Sequence, residues 1–203
     1  MYKRQTLDAV RRLIDEGNED IACLNFASAK NPGGGFLGGS QAQEESLARS
    51  TGLYNCLLKG EEYYRENRKF KSCFYTDYMI YSPVVPILKN EEGLLLEKLY
   101  TASIITSPAV NKGVLKKGKT TGVEEVMKQR IEKVLAVFLE NGHKNIVLGA
   151  WGCGVFQNDP KDISLYFKEV IEAKFKNEFE KITFAIYASG THFIKPFLAN
   201  FTD

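Results

Sequence analysis

An α/β sandwich around a mixed sheet is the fold the sequence predicts, on three observations. Helical and strand-like patterns alternate along the chain, no internal repeat interrupts them, and no linker divides them. With 203 residues, 44% hydrophobic and 26% charged, the chain can bury one sizeable core, which excludes intrinsic disorder. Seventeen glycines against six prolines fit several tight turns and not a collagen-like or low-complexity chain.

Residues 6–17 place Leu7, Val10, Leu13 and Ile14 at helical intervals, with Thr6 as N-cap and Gly17 as the stop. The short apolar run IACLNFASA suits a buried strand, and it enters NPGGGFLGG, which no helix or strand interior tolerates. Within 41–59 a helix begins near Gln43, because Glu44 and Glu45 suit the positive end of a helix dipole. The polar segment to Lys69 reads as a surface helix or loop. Strand-like runs follow at 77–81, 84–88 and 101–106, with a hairpin-like NEEG break. Residues 111–122 form a basic, glycine-punctuated loop, either solvated or in contact with a polyanionic ligand. Residues 123–141 carry a helical repeat of Val126, Ile131, Val134, Leu135 and Phe138. NIVLGAWGCGVF then predicts a buried strand and a second glycine loop, before a helix around 161–177 and the strand KITFAIYA.

The net charge of +2 is too balanced for bulk charge to drive nucleic-acid binding, so an anionic ligand must be met locally. No apolar run approaches the roughly 18 residues that span a bilayer, and the first residues lack the apolar centre of a signal peptide. A soluble, cytoplasmic protein with no membrane partner is the expectation. Cys23, Cys56, Cys73 and Cys153 are scattered without metal-ligand spacing, which predicts free thiols and no metal site.

The chemistry concentrates in the two glycine loops, 33–39 and 152–156, each after a strand and before a helix. Bare backbone amides at the carboxyl ends of strands suit phosphate, and two such loops suggest a diphosphate. Neither loop has the spacing of a dinucleotide fingerprint or a P-loop. Glu44 and Glu45 follow the first loop, about 100° apart on a helix, so they cannot face one atom equally. One is expected to be catalytic and the other structural. Trp151 reads as core, His143 and His192 as satisfied or exposed side chains, and Cys153 as a small loop residue. Asn31 suits either a ribose contact or the turn before Pro32, and Asn111 is equally open.

Asn31-Pro32-Gly33-Gly34-Gly35, seven residues, then Gln43-Glu44-Glu45 resembles the GGG…QEE signature of poly(ADP-ribose) glycohydrolases. The stretch NFASAKNPGGG…AQEESLARSTGLY is similar to the bacterial type, and the similarity continues through YSPVVPIL, ITSPAVN and LGAWGCGVFQNDP. It covers nearly the whole chain, although members usually carry a strand before the first helix and the last segment, ASGTHFIKPFLANFTD, is less typical. The resemblance implies a macrodomain-like three-layer α/β/α sandwich with a mixed central sheet, and one catalytic domain over 1–203. It implies hydrolysis of ribose–ribose O-glycosidic bonds in poly(ADP-ribose), releasing ADP-ribose. The alternatives are hydrolysis of single ADP-ribosyl conjugates of protein, nucleic acid or small molecules, or a non-catalytic ADP-ribose-binding module.

Carried over by position, Glu45 is the implied catalytic carboxyl and Glu44 helps hold the ribose and the loop. Asn31, Gly33, Gly34, Gly35 and Gln43 belong to the implied substrate site. Gly152, Cys153, Gly154 and Val155 close over the diphosphate, and Phe156 orients the ribose toward the glutamate. No cofactor is implied, and the partners are ADP-ribose, its polymer and ADP-ribosylated macromolecules. The bond broken needs a proton for the departing oxygen and negative charge near the anomeric carbon. Glu45 can supply the proton and then act as base toward water.

Overall fold

The computed structural model describes residues 5–90, 92–115, 120–187 and 190–202. Residues 116–119 of the basic loop, and Ala188 at the end of the last predicted strand, lie outside the described residues. Five strands form one sheet: β1 (Ala22–Phe26), β2 (Ile80–Lys89), β3 (Leu95–Ser107), β4 (Asn145–Leu148) and β5 (Lys181–Phe184). Their order is β2-β3-β1-β4-β5, with β3, β1, β4 and β5 parallel and β2 antiparallel to β3 at one edge. The helices are α1 (Thr6–Asp15), α2 (Gln43–Ser50), α3 (Leu53–Lys59), α4 (Glu61–Lys69), α5 (Val123–Glu140), α6 (Pro160–Lys174) and α7 (Ile194–Phe201).

Alternation along β1 sets the layers, because successive side chains leave a strand on opposite faces. Ala22 and Leu24 join the core with Met127, Ile131 and Phe138 of α5, Phe167 of α6 and Phe197 of α7. Cys23 joins the opposite core, with Leu7, Val10 and Leu13 of α1, Leu47 of α2, Leu57 of α3 and Tyr63 and Tyr64 of α4. The expected mixed-sheet α/β/α sandwich is therefore what forms. Since β1, β3 and β4 run the same way, the loops after them, and so both glycine loops, emerge at one end of the sheet.

Several boundaries differ from the sequence reading, each for a tertiary reason. Thr6 is the first helical residue of α1 and Gln5 precedes it as N-cap; the Thr6 hydroxyl instead accepts a hydrogen bond from Gln43. The helical region after Gln43 breaks at Thr51 and Gly52, where Thr51 pairs with Ile87 and the Gly52 amide donates to Pro86. The segment to Lys69 is a helix, but Tyr63, Tyr64 and Asn67 on it are buried. The runs 77–81 and 84–88 merge into one strand from Ile80, with a bulge between Ser82 and Val85 where Val84 has φ +50°. Its two prolines are tolerated on an edge strand. β3 starts at Leu95, earlier than expected, and β5 ends at Phe184, before the apolar run does.

Candidate active site

Gln43 sets where α2 begins. Its Nε2 donates to Leu24 O (2.8 Å) and Thr6 Oγ1 (3.1 Å), while Oε1 accepts from the Phe26 amide (2.8 Å). The side chain sequence reasoning assigned to substrate thus spends its amide tying α2 to β1 and α1. From that anchor, Glu44 turns into the protein and is 3% exposed. Its Oε2 accepts from the Ser28 amide (2.6 Å) and its Oε1 lies 3.3 Å from Asn25 Nδ2. Glu45, half-buried, turns toward the glycine loop, where its Oε1 accepts from the Gly35 amide (3.0 Å). The two carboxylates thus divide as their angular separation requires.

Gly34 covers both. With φ +62°, it occupies backbone space that L side chains rarely adopt, and an added Cβ would lie 2.3 Å from Glu45 Oε1 and 3.2 Å from Glu44 Oε2. Burial pushes the Glu44 carboxyl up to about 8, against the opposing hydrogen bonds from Ser28, Asn25 and the Gly33 amide and with a further push from Glu45. Asn25 Nδ2 also donates to Thr106 Oγ1 (3.2 Å), and its Oδ1 is buried without a partner.

The amides of the first loop are already committed. Gly33 donates to Glu44, Gly34 to Asn31 O (3.0 Å) and Gly35 to Glu45. Asn31 accordingly makes the turn with its backbone, and its own amide donates to Ser28 Oγ (3.1 Å). The second loop is the reverse. Cys153 N donates to Ala150 O, but the amides of Gly152, Gly154, Val155 and Phe156 have no acceptor among the described residues. Gly152 has φ +73°, and a Cβ there would meet Ala109 Cβ at 2.5 Å and Asn158 Nδ2 at 2.6 Å. Three successive free amides, those of Gly154, Val155 and Phe156, followed by the left-handed Gln157 (φ +55°), suit an anion as a nest does. The expectation that both bends grip a diphosphate through their amides is therefore revised: one bend holds carboxylates and the other offers donors.

Within the second loop, Val155 is 80% exposed and Phe156 half-buried. Cys153 buries its thiol, which burial pushes well above the usual thiol range, so the residue contributes backbone and packing and not a nucleophile. Trp151 is fully buried, with Nε1 donating to Ser107 O (3.3 Å), an oxygen that also accepts from the Ala27 amide. Asn158, missed by sequence reasoning, holds the loop by donating to Val110 O (2.8 Å) and Gly152 O (3.2 Å). Asn111 pins the 73–77 segment through its amide to Cys73 O, while its Oδ1 is buried and unpartnered. His143 is buried between Asp20 O and the Tyr81 hydroxyl, before β4 and so at the opposite end of that strand from the second loop, and His192 is exposed. Among the described residues no group of three or more His, Cys, Asp or Glu is arranged to hold a metal ion. Asn25 and Ser28 were also missed; the only signal was a polar residue, Asn25, inside an otherwise apolar strand.

Comparison with known proteins gives this geometry a context. Residues 1–90 match the family model for the microbial-type PARG catalytic domain. No curated protein matches the chain. The structure is similar to that of poly(ADP-ribose) glycohydrolase from Thermomonospora curvata bound to the inhibitor ADP-HPD, with a TM-score of 0.95 and 40% identity over 98% of this chain and 77% of that one. It is also similar to the poly(ADP-ribose) glycohydrolase from Deinococcus radiodurans in complex with ADP-ribose, with a TM-score of 0.89 and 42% identity over 98% of this chain and 82% of that one.

Proposed function

Since the chain belongs to the bacterial poly(ADP-ribose) glycohydrolase family, we propose that it hydrolyses ribose–ribose bonds of poly(ADP-ribose) and releases ADP-ribose, with Glu45 as the catalytic acid and base. The observation that carries this reading is the division between the two loops. A carboxylate steered by the Gly35 amide stands on one side of the sheet's carboxyl end, and four uncommitted amides stand on the neighbouring loop. Gly152, Gly154, Val155 and Phe156 bind the diphosphate through N–H groups, and the Phe156 ring packs on the adjoining ribose. Glu45 donates its proton to the departing ribose oxygen as the anomeric C–O bond breaks. The cationic sugar is then met by water, whose proton returns to Glu45. As the resemblance to the family implies, the bound diphosphate helps stabilise that cation, so no second ionised carboxylate is required. Glu44, buried and with its carboxyl pushed up to about 8, keeps the loop in place through Ser28, Asn25 and the Gly33 amide.

The same proposal treats residues 1–203 as one catalytic domain, because both cores share a single sheet. It places the protein in a reducing cytoplasm, in keeping with four thiols that form no disulfide. No described helix is long and apolar enough to cross a membrane. The test is release of ADP-ribose from polymer by the parent and by Glu45→Gln. Loss of an acid–base group lowers the rate by roughly a hundredfold or more, while the melting temperature stays near that of the parent. A variant that hydrolyses polymer at the parent rate removes Glu45 from the mechanism.

A further inference from the structure

Tyr75 has φ +58°, a left-handed backbone that a bulky aromatic residue rarely adopts. Partners from three parts of the fold hold it there. Arg130 on α5 is 1% exposed. Its Nη2 donates to Phe74 O (3.0 Å) and Tyr75 O (3.4 Å), its Nη1 to Pro108 O (2.9 Å) and its Nε to Asp77 Oδ1 (2.9 Å). Asn67 on α4, fully buried, accepts from both the amide (2.9 Å) and the hydroxyl (3.0 Å) of Thr76. The Asn111 amide donates to Cys73 O (2.9 Å). Burying a guanidinium is costly, and here two of its four hydrogen bonds go to carbonyls of a connecting segment and a third to the Asp77 carboxylate of that segment. Strain over-determined in this way is a feature of functional sites more than of connectors.

The side chain so held packs against the second glycine loop. Its ring lies 6.0 Å from the Phe156 ring, at 41°. Tyr63 on α4 donates its hydroxyl to Ser28 O (3.2 Å), while the Ser28 amide donates to Glu44. Burial first, then Tyr64 and Glu44, raise the Tyr63 hydroxyl well above its usual range, and the Tyr75 phenol adds a smaller push. Tyr75 itself is half-buried, and among the described residues its hydroxyl has no hydrogen-bond partner.

We propose that Tyr75 is a substrate-contacting residue: its ring continues the aromatic wall begun by Phe156, and its hydroxyl donates to an oxygen of the ribosyl-diphosphate segment lying between the two glycine loops. This rests on the reading of ADP-ribose as the ligand. Arg130, which touches no substrate, is the positioning residue that keeps the phenol in place.

The experiment titrates ADP-ribose calorimetrically into the parent, Tyr75→Phe and Tyr75→Leu, with thermal melts of all three and polymer hydrolysis by the parent. Tyr75→Phe removes only the hydroxyl and is expected to weaken ADP-ribose about fivefold to tenfold at an unchanged melting temperature. Tyr75→Leu removes the ring too and weakens it further. Should Tyr75→Leu not fold, Tyr75→Asn, a residue that tolerates this backbone, takes its place. Variants that bind ADP-ribose within about twofold of the parent overturn the proposal. If the variants lose affinity while the parent releases nothing from polymer, the glycohydrolase reading fails and the Tyr75 contact stands. A parent that binds no ADP-ribose overturns both.

Discussion

A carboxyl buried beside the proposed acid and base changes what pH does to the protein. Glu44 is pushed up to about 8 in the fold, whereas in the unfolded chain it titrates near its ordinary value of 4.5. Below the lower value it is neutral in both states and its contribution to stability is fully present. Between the two values the unfolded chain releases a proton that the folded chain keeps, so stability falls as pH rises, and the loss is complete only above the folded value. Glu44→Gln removes this titration. The melting temperature of the parent minus that of the variant is therefore expected to decrease steadily from about pH 5 to about pH 9. A difference that stays flat over that range would mean that Glu44 is ionised in the fold.

Elements differ in how far their own residues specify them. α5 was legible because a long apolar stripe repeats at helical spacing; α6 starts at Pro160, where the structure adds an N-cap, Asp159, which accepts from Lys161 N. The order of the glycine loops and the glutamate pair was equally legible, since those residues are close in sequence. The break between α2 and α3 was not, because it comes from Thr51 pairing with Ile87 across 36 positions of chain. Nor was the division of amides between the loops, which depends on where Gln43 anchors α2. Least legible was the 73–77 segment, whose conformation is fixed by Arg130 more than fifty positions away. That clamp makes a stability prediction. Arg130→Met leaves Asp77, 29% exposed and still paired with Lys133, without its buried partner, and leaves three carbonyls without a donor. The loss is expected at about 2–3 kcal/mol, below the full value for a buried pair because Lys133 remains. A chain of this size then melts roughly 5–10 °C lower. A shift under about 2 °C would show that the segment is held by Asn67 and Asn111 alone.

At the scale of the whole molecule, charge is nearly balanced at +2, so recognition of an anionic ligand must come from local donors. Two kinds of donor are within the chain's means, and they respond differently to salt. Lysines on the basic loop would bind through counterion release and screened attraction, and their contribution would fall steeply as salt is added. Of these, Lys112 is already paired with Asp162 at 3.2 Å, and Gly113 on the same turn donates its amide to Phe156 O. The free amides of Gly152, Gly154, Val155 and Phe156 carry no net charge and hold an anion by short-range hydrogen bonds. If the nest carries recognition, the dissociation constant for ADP-ribose should rise by no more than roughly threefold between about 50 and about 500 mM salt. A rise of roughly tenfold or more would assign the diphosphate to lysines of the 111–122 loop and return the second bend to a packing role. The amide nest is favoured because ordering a buried cysteine, a left-handed glycine and a clamped Asn158 around exposed N–H groups costs conformational entropy that a purely connecting turn does not need.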